Sequence, residues 1–118
     1  MAASGSVSIQ GTVNDLPSGS KTLGPITQTS AAAVDASTQL ELQSGDNTIT
    51  IPTAAEFVII VFDPTSATTK KLKGNAGDTG IRVDPAGSVL LPLDATHPTL
   101  IINSSATDTG LTTTVIFV

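Results

Sequence analysis

Cysteine, tryptophan and tyrosine are absent from this chain of 118 residues, and histidine and methionine occur once each. Without cysteine there is no disulfide framework, no thiolate metal site and no thiol nucleophile. Charge is scarce as well. Asp, Glu, Lys and Arg make up 13% of the residues, about half the usual quarter. Five basic residues stand against ten acidic ones, a net charge of −5, which argues against an electrostatic grip on nucleic acid. No apolar run approaches the roughly 20 residues of a spanning helix. The longest, Phe57-Val58-Ile59-Ile60-Val61-Phe62, has the length of a buried strand. The segment Met1-Ala2-Ala3-Ser4-Gly5-Ser6 has neither a basic n-region nor an apolar h-region. No secretory signal is expected there, and the expectation is a protein made in a cytoplasm, with no membrane insertion.

What is present is small and β-branched. Thr occurs 19 times and Ser 12 times, so a small hydroxyl is the commonest side-chain group. The hydrophobic fraction of 39% is too high for a disordered tail, and the length suits one domain. Turn signals such as Pro17-Ser18-Gly19, Ser44-Gly45-Asp46-Asn47, Asp63-Pro64, Asp84-Pro85-Ala86-Gly87 and Asp108-Thr109-Gly110 cut the chain into short pieces. The runs between them are rich in Val, Ile, Leu and Thr, which fit a pleated surface and lose rotamer freedom in a helix.

These runs predict strands over Val7–Val13, Leu23–Ile26, Thr38–Leu42, Thr48–Ile51, Phe57–Phe62, Lys70–Lys73, Ile81–Val83, Ser88–Leu93, Thr99–Asn103 and Leu111–Val118. Alternation sets faces: Leu40 and Leu42 oppose Gln39 and Glu41, and Ile49 and Ile51 oppose Thr48 and Thr50. Phe57–Phe62 does not alternate, which places it centrally. Only Thr29–Ala36 offers room for one or two helical turns. Many short strands without helical periods indicate an all-β fold, a β-sandwich or a barrel, and the expected architecture is an antiparallel, jelly-roll-like β-sandwich. The expected division is residues 1–35 as an N-terminal arm or loosely attached strands and residues 36–118 as the sandwich. The core must come from Val, Ile and Leu with Phe57, Phe62 and Phe117. The end of the last strand is apolar on both faces. Val115, Ile116, Phe117 and Val118 should therefore be covered within the fold or by a partner, and they are the candidate oligomer contact.

Asp-Thr-Gly occurs twice, at Asp78-Thr79-Gly80 and Asp108-Thr109-Gly110. Aspartic proteases use this tripeptide to bring two carboxylates together. Here the lead-ins, Gly74-Asn75-Ala76-Gly77 and Ser104-Ser105-Ala106-Thr107, are polar and turn-like rather than apolar strands. Tight turns, with Asp taking a local backbone bond and Gly at positive φ, explain both better. Gly74–Gly80 has the glycine content of a phosphate loop, but the strand Ile81-Arg82-Val83 follows where a P-loop needs Lys-Ser/Thr and a helix. His97 is a lone loop histidine with no metal-ligand or triad spacing around it. Asp46, Asp63, Asp78, Asp84, Asp94 and Asp108 lie in loops, yet no Asp-x-Asp-x-Asp run points to calcium. Lys70-Lys71-Leu72-Lys73 reads as an exposed or edge strand on which lysines discourage edge-to-edge pairing. Asn103-Ser104-Ser105 matches a glycosylation acceptor and reads as a turn. No catalytic residue, metal site or cofactor is expected, and the chain reads as no enzyme.

From about Leu40 onward the succession is Asp46-Asn47-Thr48-Ile49-Thr50-Ile51-Pro52-Thr53, Phe57–Phe62, Lys71-Leu72-Lys73-Gly74-Asn75-Ala76-Gly77-Asp78-Thr79-Gly80-Ile81 and Gly87-Ser88-Val89-Leu90-Leu91-Pro92-Leu93, with a strand to follow. It resembles small virion structural proteins of tailed bacteriophages, the β-sandwich modules of tail tip, fibre or capsid surface, which are frequently trimeric. The resemblance implies a non-enzymatic homo-oligomer, with copies of itself and other virion proteins as partners. A tail-associated module is favoured over a capsid decoration (cement) protein. A carbohydrate-binding module is the alternative of another class, disfavoured because sugar platforms rely on the Trp and Tyr faces missing here.

Overall fold

The computed structural model describes residues 5–14, 17–30, 36–94, 96 and 98–118. Ten strands form where the β-branched runs lie: β1 (Gly5–Val13), β2 (Lys21–Ser30), β3 (Ala36–Leu40), β4 (Gly45–Thr50), β5 (Phe57–Val61), β6 (Lys70–Lys73), β7 (Ile81–Val83), β8 (Ser88–Pro92), β9 (Thr99–Ser104) and β10 (Thr113–Phe117). There is no helix among the described residues, hence none long and apolar enough to cross a membrane. Thr29 and Ser30 end β2 and Ala36 opens β3, so the one or two helical turns expected over Thr29–Ala36 are not formed at those positions; residues 31–35 lie outside the described residues.

β3 to β10 build two antiparallel four-stranded sheets. The upper sheet has the order β3-β10-β5-β8 and the lower sheet β4-β9-β6-β7. The order follows from nested hairpins. β6 and β7 pair as the innermost hairpin, and β5 with β8, β4 with β9 and β3 with β10 nest around it. Winding this long hairpin on itself adds β10 beside β5 and β6 beside β9. That is the jelly roll, in which the two sheets face each other over one core.

Alternation decides what enters the core. Val58, Ile60 and Phe62 on the β5 side meet Leu100 and Ile102 of β9, with Leu42, Ala55, Val115 and Phe117 completing the cluster. Leu40, Ile49, Ile51, Leu72, Val89 and Leu91 pack against its margin, while Gln39, Glu41, Thr48 and Thr50 are exposed, as the alternation requires. All three phenylalanines are buried. β5 lies inside its sheet, between β10 and β8.

The lysine-rich strand differs from expectation. β6 is no edge: it lies between β9 and β7, and Lys70 is 0% exposed. Alternation places Lys70 on the same inward face as Leu72, and the charge is accommodated there by a carboxylate from a neighbouring loop.

β1 and β2 stand apart. They pair only with each other, with Ile9 opposite Ile26 and Gly11 opposite Leu23. Neither strand adds to a four-stranded sheet.

Candidate functional site

Three features of the described residues have the chemistry or the surface for a role. The first is a polar cluster at the end of the sandwich where β6 begins and β9 ends. Register sets Lys70 beside Ser104 on the inward face. The β5–β6 loop supplies Ser66 and Thr68, and the β9–β10 loop supplies Asp108. Lys70 Nζ lies 2.9 Å from Asp108 Oδ2 and donates to Ser66 Oγ at 2.8 Å. It also donates to the Thr68 carbonyl at 3.3 Å and to Thr68 Oγ1. Ser66 Oγ donates to Asp108 Oδ2 at 3.0 Å and Thr68 Oγ1 to Asp108 Oδ1 at 2.7 Å. Ser104 closes the set, donating to the Ala106 carbonyl at 2.7 Å. Phe62 presents its ring 5.7 Å from the ammonium.

Burial pushes the Asp108 carboxyl up, but hydrogen bonds from Thr68, Lys70 and Ser66 and the Lys70 charge outweigh it and hold the pKa below the ordinary carboxylate value. No described buried side-chain polar atom lacks a partner. Ser66 beside Lys70 resembles the hydroxyl–amine pair of a Ser–Lys hydrolase. A base needs a free lone pair, however, and this ammonium is matched to a carboxylate and closed off from any substrate. The cluster works as a clasp. It ties the β5–β6 loop to the β9–β10 loop, while the Asp108 amide donates to the Leu42 carbonyl at 2.9 Å and the Ser44 amide to Thr107 Oγ1 at 3.1 Å, drawing in the β3–β4 loop.

The two Asp-Thr-Gly tripeptides thus have separate fates. Gly80 and Gly110 both take positive φ, +82° and +76°. Asp78 is exposed and accepts the Asn75 amide at 2.8 Å, a local turn bond. Asp108 is the buried half of an ion pair, a role that turn logic did not anticipate. Two amides of the Gly74–Gly80 loop are spent within it, since the Asp78 amide also donates to the Asn75 carbonyl at 3.1 Å. Lys73 pins this loop to the outer surface of the lower sheet. Its Nζ donates to Asp46 Oδ1 at 3.0 Å and to the Ala76 carbonyl at 2.8 Å, and Asn103 Nδ2 reaches the same Asp46 oxygen at 2.7 Å. These bonds, Asn103 first and Lys73 second, lower the Asp46 pKa.

Of the other loop carboxylates, Asp63 accepts the Thr65 amide and hydroxyl, Asp84 the Ala86 amide, and Asp94 the Thr96 amide and hydroxyl. Each closes its own turn, and no group of three or more metal-ligating side chains gathers among the described residues. His97 lies outside the described residues.

The second feature is a groove of about 450 Å³ at the edge where β7 and β8 end the two sheets. Ile51, Leu72, Ile81, Leu91, Leu93 and Leu100 give it an apolar lining, with Lys73 and Asp94 at the rim. β7 is only three residues long. Ile81 pairs with inward-facing Leu72 yet is 72% exposed, standing at the lip of the groove. The opposite edge is polar, with exposed Ser37, Thr38 and Gln39 on β3 and Asp46, Thr48 and Thr50 on β4.

The third feature is the outer face of the upper sheet. Ile116, Ile59 and Leu90 fall in one cross-strand row there, each half-buried, and Val61 beside them is 39% exposed. The four candidate contact residues split along this division. Val115 and Phe117 are in the core, covered by the fold itself. Ile116 and Val118 are half-buried on the other side of the strand, and the Val118 carbonyl accepts the Glu56 and Phe57 amides. The sequence reading missed the groove, whose only signal was Ile81 in a three-residue strand beside a glycine-rich loop. Compared with protein-family models, with curated proteins and with solved structures, the chain matches none.

Proposed function

We propose that the chain is a non-enzymatic structural protein of a tailed-phage virion, a tail-associated β-module that works as a homo-oligomer, with trimer as the expected state. The observation that carries the reading is the outward apolar row Ile116–Ile59–Leu90 with the exposed Val61 beside it. A contiguous apolar patch on the face turned away from the core is the mark of a contact surface. Three further points support the reading. The jelly roll is an architecture that capsid modules use, though lectins and cupins share it. The one buried ion pair among the described residues is a satisfied clasp, closed to ligand. The groove is lined by aliphatic side chains with no aromatic face for a sugar. Repetition around an axis would multiply weak apolar contacts into a stable particle component.

Quantitative mass spectrometry of purified particles, made by the phage whose genome carries the gene, tests this. A few trimers per particle are expected for a tail module. Hundreds of copies would assign the chain to the head surface instead, and absence from the particles refutes both placements.

A further inference from the structure

We propose that the groove between β7 and β8 binds a single unbranched aliphatic chain, the tail of a fatty alcohol, fatty acid or similar amphiphile. The inference goes beyond the structural role above and does not depend on how many copies assemble.

The groove is an opening between the two sheets rather than a flat patch. Leu72, Ile81 and Leu100 line it from the lower sheet, and Leu91 and Leu93 from the β8 side. Leu100 belongs to the buried core cluster, and Leu72, Leu91 and Leu93 pack against that cluster, so the floor of the groove is the core itself. β7 has only three residues and leaves the sheets unsealed at this edge. The volume of about 450 Å³ lies within the roughly 300–1,000 Å³ of ligand clefts. Water in a cleft walled by aliphatic side chains finds few polar partners, and apolar matter replaces it favourably.

The polar residues around the groove do not call for a polar ligand. Lys73 donates to Asp46 and to the Ala76 carbonyl. Asp94 accepts the Thr96 amide and hydroxyl. Thr99 falls on the outward side of β9, opposite in phase to the buried Leu100. A head group therefore stays in water at the rim, and the tail carries the recognition.

The backbone selects against a peptide in the same place. The Leu93 amide donates to the Glu56 carbonyl and the Phe62 amide to the Gly87 carbonyl. That phase turns Val89 and Leu91 toward β5 and leaves Ser88, Leu90 and Pro92 facing the open edge. Of these, Pro92 is the one that lines the groove, and proline has no N–H to offer. On the facing wall the Ile51 amide is taken by the Pro98 carbonyl. A peptide pressed in at this point would bury backbone groups without partners. An aliphatic chain has no such groups.

Octanol, nonanol and decanol, which are neutral, are titrated as monomers into the full chain by isothermal titration calorimetry, with methyl NMR shifts recorded alongside. Saturable one-site binding is expected, tighter by about fourfold for each added methylene, with the largest shifts at Leu72, Ile81, Leu91 and Leu93. Ile81→Asp puts a charge at the lip and should weaken decanol binding about tenfold. Its circular dichroism spectrum and melting temperature should stay those of the parent, because Ile81 is 72% exposed. Absence of saturable binding, the result if the chain's own N-terminal strands or another copy fill the groove, would overturn the proposal. So would affinities that ignore chain length, shifts centred on the outer row Ile116–Ile59–Leu90, or decanol binding that Ile81→Asp leaves intact. Binding to phosphatidylglycerol vesicles with none of the monomeric alcohols would overturn it as well and point to a membrane surface instead.

Discussion

Replacing Asp108 by asparagine should cost more stability than any surface change of similar size. Lys70 is 0% exposed and its ammonium is matched by Asp108, Ser66 and Thr68. Asparagine keeps the shape and loses the charge, leaving a buried cation with hydroxyls and one carbonyl. Breaking a buried pair from one side costs about 3–5 kcal/mol. That is a large share of the roughly 5–15 kcal/mol that a domain has in total. For a chain of this size it corresponds to a melting temperature lower by about 10–25 °C. The companion change Lys70→Met removes the orphaned charge, while the introduced asparagine in that double variant can still bond Ser66 and Thr68. The pair Lys70→Met with Asp108→Asn should therefore be more stable than Asp108→Asn alone, with a coupling of about 1–3 kcal/mol. Urea unfolding of the parent, both single variants and the double variant gives the full cycle. A loss below about 1 kcal/mol for Asp108→Asn, or strict additivity of the two changes, would refute the clasp.

The same carboxylate sets the acid response. The pKa of Asp108 is lowered in the folded chain, so its contribution is complete above the unfolded value near 3.9 and is lost as the pH falls through the folded value; Asp46 and Asp63, also lowered, act in the same direction from the surface. Thermal melts should be flat between neutrality and about pH 5 and fall below it, and the fall should shrink in Asp108→Asn. Gly80 sits at φ +82° with the Lys73 Cγ 2.7 Å and the Leu72 carbonyl 3.0 Å from where a Cβ would be, whereas Gly110, at φ +76°, has open space there. Gly80→Ala should cost about 2 kcal/mol or more and Gly110→Ala about 1 kcal/mol in urea unfolding, because only the first adds a clash to the backbone strain. Ala54 holds φ +70° in the turn closed by the Ala55 amide on the Pro52 carbonyl. Ala54→Gly should raise the melting temperature slightly, by relief of about 1 kcal/mol of left-handed strain less the entropy glycine adds to the unfolded chain.

Elements were legible where local chemistry decides them. Ile49 and Ile51 against Thr48 and Thr50, or the unbroken Phe57–Phe62, carry their own face and position, since a strand repeats every two residues and a central strand is wet on neither side. The all-β class followed from the strand count and turn spacing, which by themselves fit a sandwich or a barrel. The nesting of β3 with β10 and β4 with β9 joins segments far apart in the chain, as Leu40 with Thr113 and Gly45 with Ser104, which no local pattern encodes. Lys70 misled for the same reason. A lysine cluster reads as solvated until a partner is known, and the partner, Asp108, lies 38 positions downstream inside a tripeptide that reads as a turn. Gly80 and Gly110 were legible as turns, because only the backbone is involved. The groove was not, since it arises from the shortness of β7 and from the Lys73–Asp46 contact that holds the preceding loop outward.

Light scattering of the purified chain across a wide concentration range tests most directly the claim that this protein acts in multiple copies through its apolar outer surfaces. The account predicts a mass of three chains, falling toward one only on strong dilution. A constant 11.8 kDa, the mass of a single chain, at every concentration would contradict it.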